Sequence, residues 1–220
     1  MWNYEKRLQY PIKITTPNAK IAQFILSQYG GPDGEINASL RYLSQRFAMP
    51  NRKAMGVLTD IGTEELAHLE MVSTIVHQLT ADLTMEEIES SGFGNYYIDH
   101  TNGVWAMAAG GIPQNACEFQ SKGDPITDLF EDLAAEQKAR STYDNILRVV
   151  KDMPEIADPI RFLRAREIVH FQRFGETLRT VQEDLDCRNF YAFNPSFDMP
   201  SFCSCETDDD GGKKEICEKN

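Results

Sequence analysis

The sequence predicts an all-α fold: a four-helix bundle with one long crossover connection, plus an N-terminal helix and an irregular C-terminal tail. Three observations carry this. Apolar residues recur at helical spacing through most of the chain. The long helical runs come as two pairs, each joined by a short break. A stretch rich in Gly and aromatics, residues 92 to 122, separates the pairs without helical period. Two hairpins joined once over a long distance have the connectivity of the ferritin-like bundle. A solenoid of stacked helices is the weaker alternative, because no unit of about 30 to 50 residues repeats three or more times.

Each element has its own signals. Thr16-Pro17 opens an amphipathic run, with Ile21, Phe24 and Ile25 at helical spacing, that Gly30-Gly31 closes. The first bundle helix runs from about Asp33 to Ala48 and stops before Pro50; the second runs from about Arg52 to Leu79. Thr84 and Glu87 form a capping-box pattern on a shorter helix. Asp124-Pro125 starts the third bundle helix, which lasts to about Val150, and Asp158-Pro159 starts the fourth, ending near Asp186. From Cys187 onward the pattern is lost, and CETDDDGGKKEICEKN has the composition of a loosely held end. The chain divides into a bundle domain, residues 1 to 190, and a flexible, Cys-containing acidic tail, residues 191 to 220.

Composition narrows the function. A chain of 220 residues with 41% hydrophobic content can bury one sizeable core. Its net charge of -12 repels nucleic acid and anionic membrane surfaces. No apolar run approaches the roughly 20 residues that cross a bilayer, and MWNYEKRLQYPIKI lacks an apolar signal core, so a cytoplasmic protein is expected. Five cysteines, an odd number, argue against a disulfide framework. Cys203, Cys205 and Cys217 read as exposed thiols on the tail, with metal binding or cross-linking of chains as the alternative.

Two stretches carry chemistry. EELAHLEM (64 to 71) and AREIVHFQ (165 to 172) each contain Glu-x-x-His, as Glu65 and His68 and as Glu167 and His170. Residues three apart on a helix share a face, so each motif aims a carboxylate and an imidazole the same way. With 18 glutamates and four histidines, chance gives one such motif about 30% of the time and two far less often. Glu35 lies 30 residues before Glu65, and Glu136 lies 31 before Glu167. The midpoints fall at Pro50 and beside the Lys151 to Pro154 break. Residues equally far from the turn of an antiparallel hairpin sit level. Each hairpin therefore sets a lone Glu beside a Glu-x-x-His, about 22 Å from the turn at about 1.5 Å per residue.

EINASLRY (35 to 42) and EQKARSTY (136 to 143) share Glu, then Ala three later, then Tyr seven later. This puts Tyr42 and Tyr143 either within hydrogen-bonding reach of a carboxylate or among ordinary core residues. Four carboxylates in one bundle core cost several kcal/mol each unless neutralised, and no basic side chains stand at matching positions. Two divalent cations would neutralise them. A Glu from each of two helices and Glu-x-x-His from each of two others is the ligand set of di-iron and di-manganese bundles. Glutamates on a solvated face are the competing reading, and the apolar neighbours in FAMPNRKAMGVL and IRFLRAREIVHF speak against it. His77 reads as a cap or surface residue, and His100, in YIDHTNG, as a structural loop residue.

YGGPDGEINASLRYLSQRF, LTDIGTEELAHLEMV, KGDPITDLFEDLAAEQKARSTYDNIL and RFLRAREIVHFQRFGE resemble the manganese catalase family, most nearly its short spore-coat branch, the coat protein JC type. The similarity runs from MWNYEKRLQYPIK to roughly Phe190. It implies two manganese ions per chain, disproportionation of hydrogen peroxide to water and dioxygen, and a homohexamer. It also implies a role in oxidative-stress protection or in the spore coat, beside other coat proteins. By position, Glu35 and His68 would bind one manganese, Glu136 and His170 the other, and Glu65 would bridge them. Glu167 matches an acid outside the ligand set that handles protons, and Tyr42 a phenol hydrogen-bonded near Glu35. Two departures stand out. Some catalases carry arginine immediately before the third glutamate, where this chain has Ala135. The chain is also shorter than the full-length enzymes, and its tail past residue 190 falls outside the resemblance.

The residues alone do not choose the metal, since carboxylate and imidazole ligands suit iron as well as manganese. If Glu167 also binds, four Glu and two His make a site closer to an iron oxidase. Two readings therefore stand beside the catalase. One is a ferritin-like di-iron protein that oxidises Fe(II) or reduces peroxide. The other is a structural coat protein whose metal site stabilises the bundle.

Overall fold

The amphipathic runs fold as helices in the computed structural model, which describes residue 5 and residues 7–98, 103–118, 120–184, 203–207 and 213–217. The N-terminal run divides at Leu26 into α1 (Ala19–Ile25) and α2 (Ser27–Gly30). α3 (Glu35–Gln45) ends in a 3₁₀ turn, Arg46–Ala48. α4 (Arg52–Thr80) starts where the Asn51 side chain accepts from the Ala54 amide. α5 (Met85–Ser91) opens on the Thr84–Glu87 capping box and closes on Gly92 in the left-handed region. α6 (Pro125–Val150) is capped by Asp124, whose side chain accepts from the Thr127 amide.

α7 (Pro154–Asp184) begins earlier than the Asp158-Pro159 start expected, and Pro159 lies inside it. Pro154 has the fixed φ that suits a first helical position, while Pro159 removes a single N–H. The buried Ile156, Ala157, Ile160 and Leu163 hold that turn against the core.

α3 pairs with α4 and α6 with α7; α4 packs on α7 and α3 on α6, which makes the four-helix bundle. α3 is much shorter than α4, and α1 covers the half of α4 that α3 does not reach. Side chains on α3 and α4 interlock at Gly62. A Cβ there would lie 2.9 Å from Leu43 Cγ and 3.2 Å from Tyr42 Cβ, and the Ser39 hydroxyl donates to the Gly62 carbonyl at 2.7 Å.

Two apolar clusters result. One joins α1 to Met71–Leu79 of α4, Tyr143–Val150 of α6 and Ile156–Leu163 of α7. The other joins Tyr42 to Ala54–Ile61, Leu129 and Phe174–Val181.

The crossover contains α5, the two-residue strands β1 (Tyr97–Ile98) and β2 (Gly103–Val104), and short 3₁₀ turns. It is fastened to the N-terminal helices. Gln23 donates to the Tyr96 hydroxyl (3.0 Å) and the Ala109 carbonyl (3.2 Å), and Gln114 donates to Asn37 Oδ1 (2.9 Å). At Gly30 a Cβ would sit 2.4 Å from the backbone of Ala106 and Met107, so only glycine allows this approach.

Within the tail expected to lack regular structure, β3 (Cys203–Thr207) pairs antiparallel with β4 (Lys213–Cys217), Cys203 opposite Cys217. The intervening DDDGG consists of turn-forming residue types. The rest of the tail, and His100, lie outside the described residues. Among those described, no helix is long and apolar enough to cross a membrane.

Candidate metal centre

Between the two apolar clusters the bundle turns polar. Glu35 opens α3, Glu65 and His68 lie in the middle of α4, Glu136 in α6, and Glu167 and His170 in α7. All six are at most 2% exposed. They are not the solvated helix face that the competing reading required.

Glu65 sits at the middle of this group. Its Oε2 is 2.7 Å from His68 Nδ1 and its Oε1 is 2.8 Å from His170 Nδ1. Behind the histidines stand the other hairpin carboxylates. Glu35 Oε2 is 3.8 Å from His68 Nδ1, and Glu136 Oε2 is 3.6 Å from His170 Nδ1. The two imidazoles stack with ring centroids 5.4 Å apart.

The tyrosines hold the outer oxygens of these carboxylates. Tyr42 donates to Glu136 Oε1 at 2.5 Å, and Tyr143 donates to Glu35 Oε1. The expectation of Tyr42 near Glu35 is therefore corrected. Seven residues along α3 is about 10 Å of helix, too far for a phenol to fold back, so each tyrosine reaches across to the antiparallel partner. The reciprocal ties of Tyr42 to α6 and Tyr143 to α3 lock those two helices in register.

One carboxylate not singled out from the sequence faces both histidines from the other side and bonds one of them. Glu64 Oε2 is 3.1 Å from His170 Nε2, and its Oε1 is 3.7 Å from His68 Nε2. Arg166 holds it through two donors, at 2.8 and 3.1 Å. Burial acts to raise the Glu64 carboxyl, but the two histidines and Arg166 outweigh it and hold it well below the usual carboxylate range. A sequence signal existed: each motif is preceded by a charged residue, Glu64 before Glu65 and Arg166 before Glu167, one turn from its histidine. Glu64→Gln is expected to weaken metal binding about 10- to 100-fold, because ring orientation and basicity depend on that outer acceptor. A manganese titration checks this; unchanged affinity would mean that the rings are held by packing alone.

The donor set fits metal ions. Among the described residues, Glu65 Oε1, Glu136 Oε2, Glu167 Oε1 and His170 Nδ1 are buried with no hydrogen-bond partner, and His68 presents Nδ1 to the same centre. His170 Nδ1 and Glu65 Oε1 are close but not aligned as a hydrogen bond. Each orphaned group costs about 1–3 kcal/mol. Converging carboxylate oxygens and imidazole nitrogens are the ligands divalent first-row metals take. Glu65, His68, Glu167 and His170 each offer one ligand atom, all within 4.8 Å of one another.

Without a cation, protons balance the charge. Burial acts to lower His68, yet Glu65, Glu64 and Glu35 raise it to about 9. His170 is likewise raised, against burial, chiefly by Glu65. Glu65 is held well below the usual range, against burial, by the two histidines. Burial, with the neighbouring carboxylates adding, pushes Glu35 and Glu167 well above it. His77 stays outside this group, exposed near the end of α4.

Comparison with known proteins agrees with this geometry. The family described as manganese containing catalase matches residues 1–203, further than the resemblance to Phe190 read from the sequence. Protein CotJC of Bacillus subtilis (strain 168) is 49% identical over 191 residues, 87% of this chain and 100% of that protein. The probable manganese catalase of Clostridium acetobutylicum is 30% identical over 192 residues, 86% of this chain and 85% of that one. Wild-type KatB, a manganese catalase from Anabaena, superposes with a TM-score of 0.74 at 29% identity, covering 88% of this chain and 84% of its own. A dodecameric thioferritin from Bacteroides fragilis, at 13% identity and a TM-score of 0.53, shares the ferritin-like fold alone. The fold, the buried Glu and His cluster and the match over residues 1–203 lead to one conclusion: the chain belongs to the manganese-containing catalase family.

Proposed function

We propose that this protein is a dimanganese catalase that converts two molecules of hydrogen peroxide to two of water and one of dioxygen. The observation that carries the reading is Glu65, whose two oxygens each face a different histidine Nδ1, at 2.7 and 2.8 Å. In this assignment Glu35 and His68 would hold one ion, Glu136 and His170 the other, and Glu65 would offer one oxygen to each. Bound, the pair supplies two-electron redox chemistry, one electron per ion.

The protein's own residues do the rest. Tyr143 and Tyr42 occupy the outer oxygens of Glu35 and Glu136, leaving each Oε2 turned toward a histidine. Glu167 is buried, its pKa raised first by burial and then by Glu136, Glu35 and Glu65, which favours its protonated form. Its Oε1 has no partner among the described residues, which suits an acid that gives a proton to one peroxide oxygen and takes one from the next. The apolar clusters above and below keep bulk water from the site. Manganese rather than iron rests on the family, since the ligand chemistry accepts both.

A homohexamer, with Phe24, Leu40 and Phe47 among the exposed apolar side chains that would meet its contacts, belongs to the same proposal. So do the spore-coat location and coat partners, which rest on the resemblance to the short coat branch.

Oxygen release by manganese-loaded protein is the test. One dioxygen per two peroxides supports the proposal. Peroxide loss without dioxygen would favour a di-iron type oxidase or peroxidase, and no loss would leave a metal-stabilised structural protein.

Metal binding should also depend on pH. The ions displace protons from His68 and His170, so affinity is expected to rise about tenfold per pH unit for each proton released. For His68 the rise continues to about pH 9. The cation-free fold responds oppositely. His68 is raised above its ordinary 6.5, so its contribution to stability is complete below that pH and is lost as pH climbs through about 9. Manganese affinity that stays flat across about pH 6 to 8 would contradict the proton displacement.

A further inference from the structure

α6 carries a polar feature that the metal centre does not use. Asp128, Asp132 and Glu136 recur every four residues, about 6 Å apart along the helix. They are 0%, 0% and 1% exposed, on a face where a bundle helix ordinarily presents apolar side chains. Asp128 is accounted for, because it accepts from the backbone amides of Lys122 (2.7 Å) and Gly123 (3.0 Å) at the end of the crossover. Asp132 is not: among the described residues neither of its oxygens has a partner.

Two α3 residues act on it. Arg41 and Gln45 are 1% and 2% exposed, and Arg41 Nε, Arg41 Nη1 and both Gln45 amide atoms also lack partners among the described residues. Arg41 Nη2 comes no nearer to Glu131 than 3.9 Å. Burial pushes the Asp132 carboxyl well above its usual range, against the pull of the Arg41 charge and of the Gln45 amide, which lies near Asp132 without the geometry of a hydrogen bond.

Six buried polar atoms without hydrogen-bond partners among the described residues weigh heavily on the small stability of an ordinary domain. Water relieves this, since a buried water makes about three hydrogen bonds and two or more would satisfy the set. The patch lies between two definite ends. Inward it meets Glu136, whose Oε1 accepts from Tyr42, the residue next to Arg41. Outward it meets the exposed Lys122 and Gly123, beside the 3.4 Å contact of the Ser44 and Ser121 hydroxyls.

We propose that Arg41, Gln45 and Asp132 line a water-filled passage between α3 and α6 through which hydrogen peroxide reaches the Glu136 side of the centre and product water leaves. Naming peroxide rests on the catalase reading; the passage itself does not. A divalent cation is the poorer traveller. Arg41 sets a fixed positive charge on the route, and burial favours the neutral form of Asp132 beside it, so a divalent ion is repelled there. Neutral peroxide, which donates and accepts hydrogen bonds, replaces water along such a chain at little cost.

The test compares full-length, manganese-loaded wild type with the double variant Arg41→Met/Asp132→Leu. That variant puts apolar side chains in place of the buried guanidinium and of the carboxyl beside it together, an exchange cores often accept. Gln45→Leu serves if the double variant does not fold. Three quantities are read: manganese content, relaxation of water protons by the bound manganese, and oxygen release resolved into kcat and KM.

With metal retained, the proton relaxation enhancement is expected to fall about threefold or more, and kcat/KM about tenfold, with a smaller change in kcat. Retained metal with unchanged relaxation and kcat/KM would overturn the passage. Slower manganese uptake, with relaxation of the loaded protein unchanged, would make it a cation route and overturn the assignment to peroxide. If the wild type releases no dioxygen, the catalase reading fails, and the relaxation comparison still decides whether water passes here.

Discussion

Glu65→Ala is expected to release both metal ions and abolish peroxide disproportionation. Glu65 is the carboxylate whose oxygens lie 2.7 Å from His68 Nδ1 and 2.8 Å from His170 Nδ1, so its loss removes one ligand from each half of the centre. Losing an outer hydrogen-bond partner weakens metal sites about 10- to 100-fold, and losing a shared ligand should exceed that. Elemental analysis after dialysis should show manganese falling from about two per chain to near zero, with oxygen release at background. The variant should still fold. Glu65 is the largest influence raising His68, so the histidines can go neutral when it is gone. Retention of half the metal or more would show that Glu65 does not join two ions.

Glu167→Gln tests the other half of the assignment. The amide keeps the size of the side chain but has no proton to give, so manganese should remain while kcat falls by about 10²- to 10⁴-fold. Glu167 stands close enough to Glu65, His68 and His170 to be a ligand, and this variant separates the roles. Loss of metal together with rate would make Glu167 a ligand, in a site of four Glu and two His.

Some of this was legible in the sequence. Caps such as Asp124 and the Thr84–Glu87 box are local, and local signals survive folding unchanged. The levels of Glu35, Glu65, Glu136 and Glu167 followed from distance to a turn, which needs only helix rise. What failed depended on a third dimension. Periodicity says which face of α3 carries Tyr42, but not that the neighbour across that face is α6. Glu64 and Arg166 were not singled out, because their value lies in a contact between α4 and α7. Nor were Arg41 and Asp132, which only their burial marks out. Pro159 misled for a different reason. A strong local start signal was overridden, because the helix already begins at Pro154 and apolar side chains on either side of Pro159 carry it through.

The apolar interior comes as two clusters with the acidic centre between them, and α4, α6 and α7 thread through both. Cooperativity would then depend on what fills the centre. Ions bound there would brace the waist of the molecule from four helices, and the two halves are expected to share one melting event. With protons instead, the brace is only as strong as the ionisation of two histidines, and the halves are expected to loosen separately.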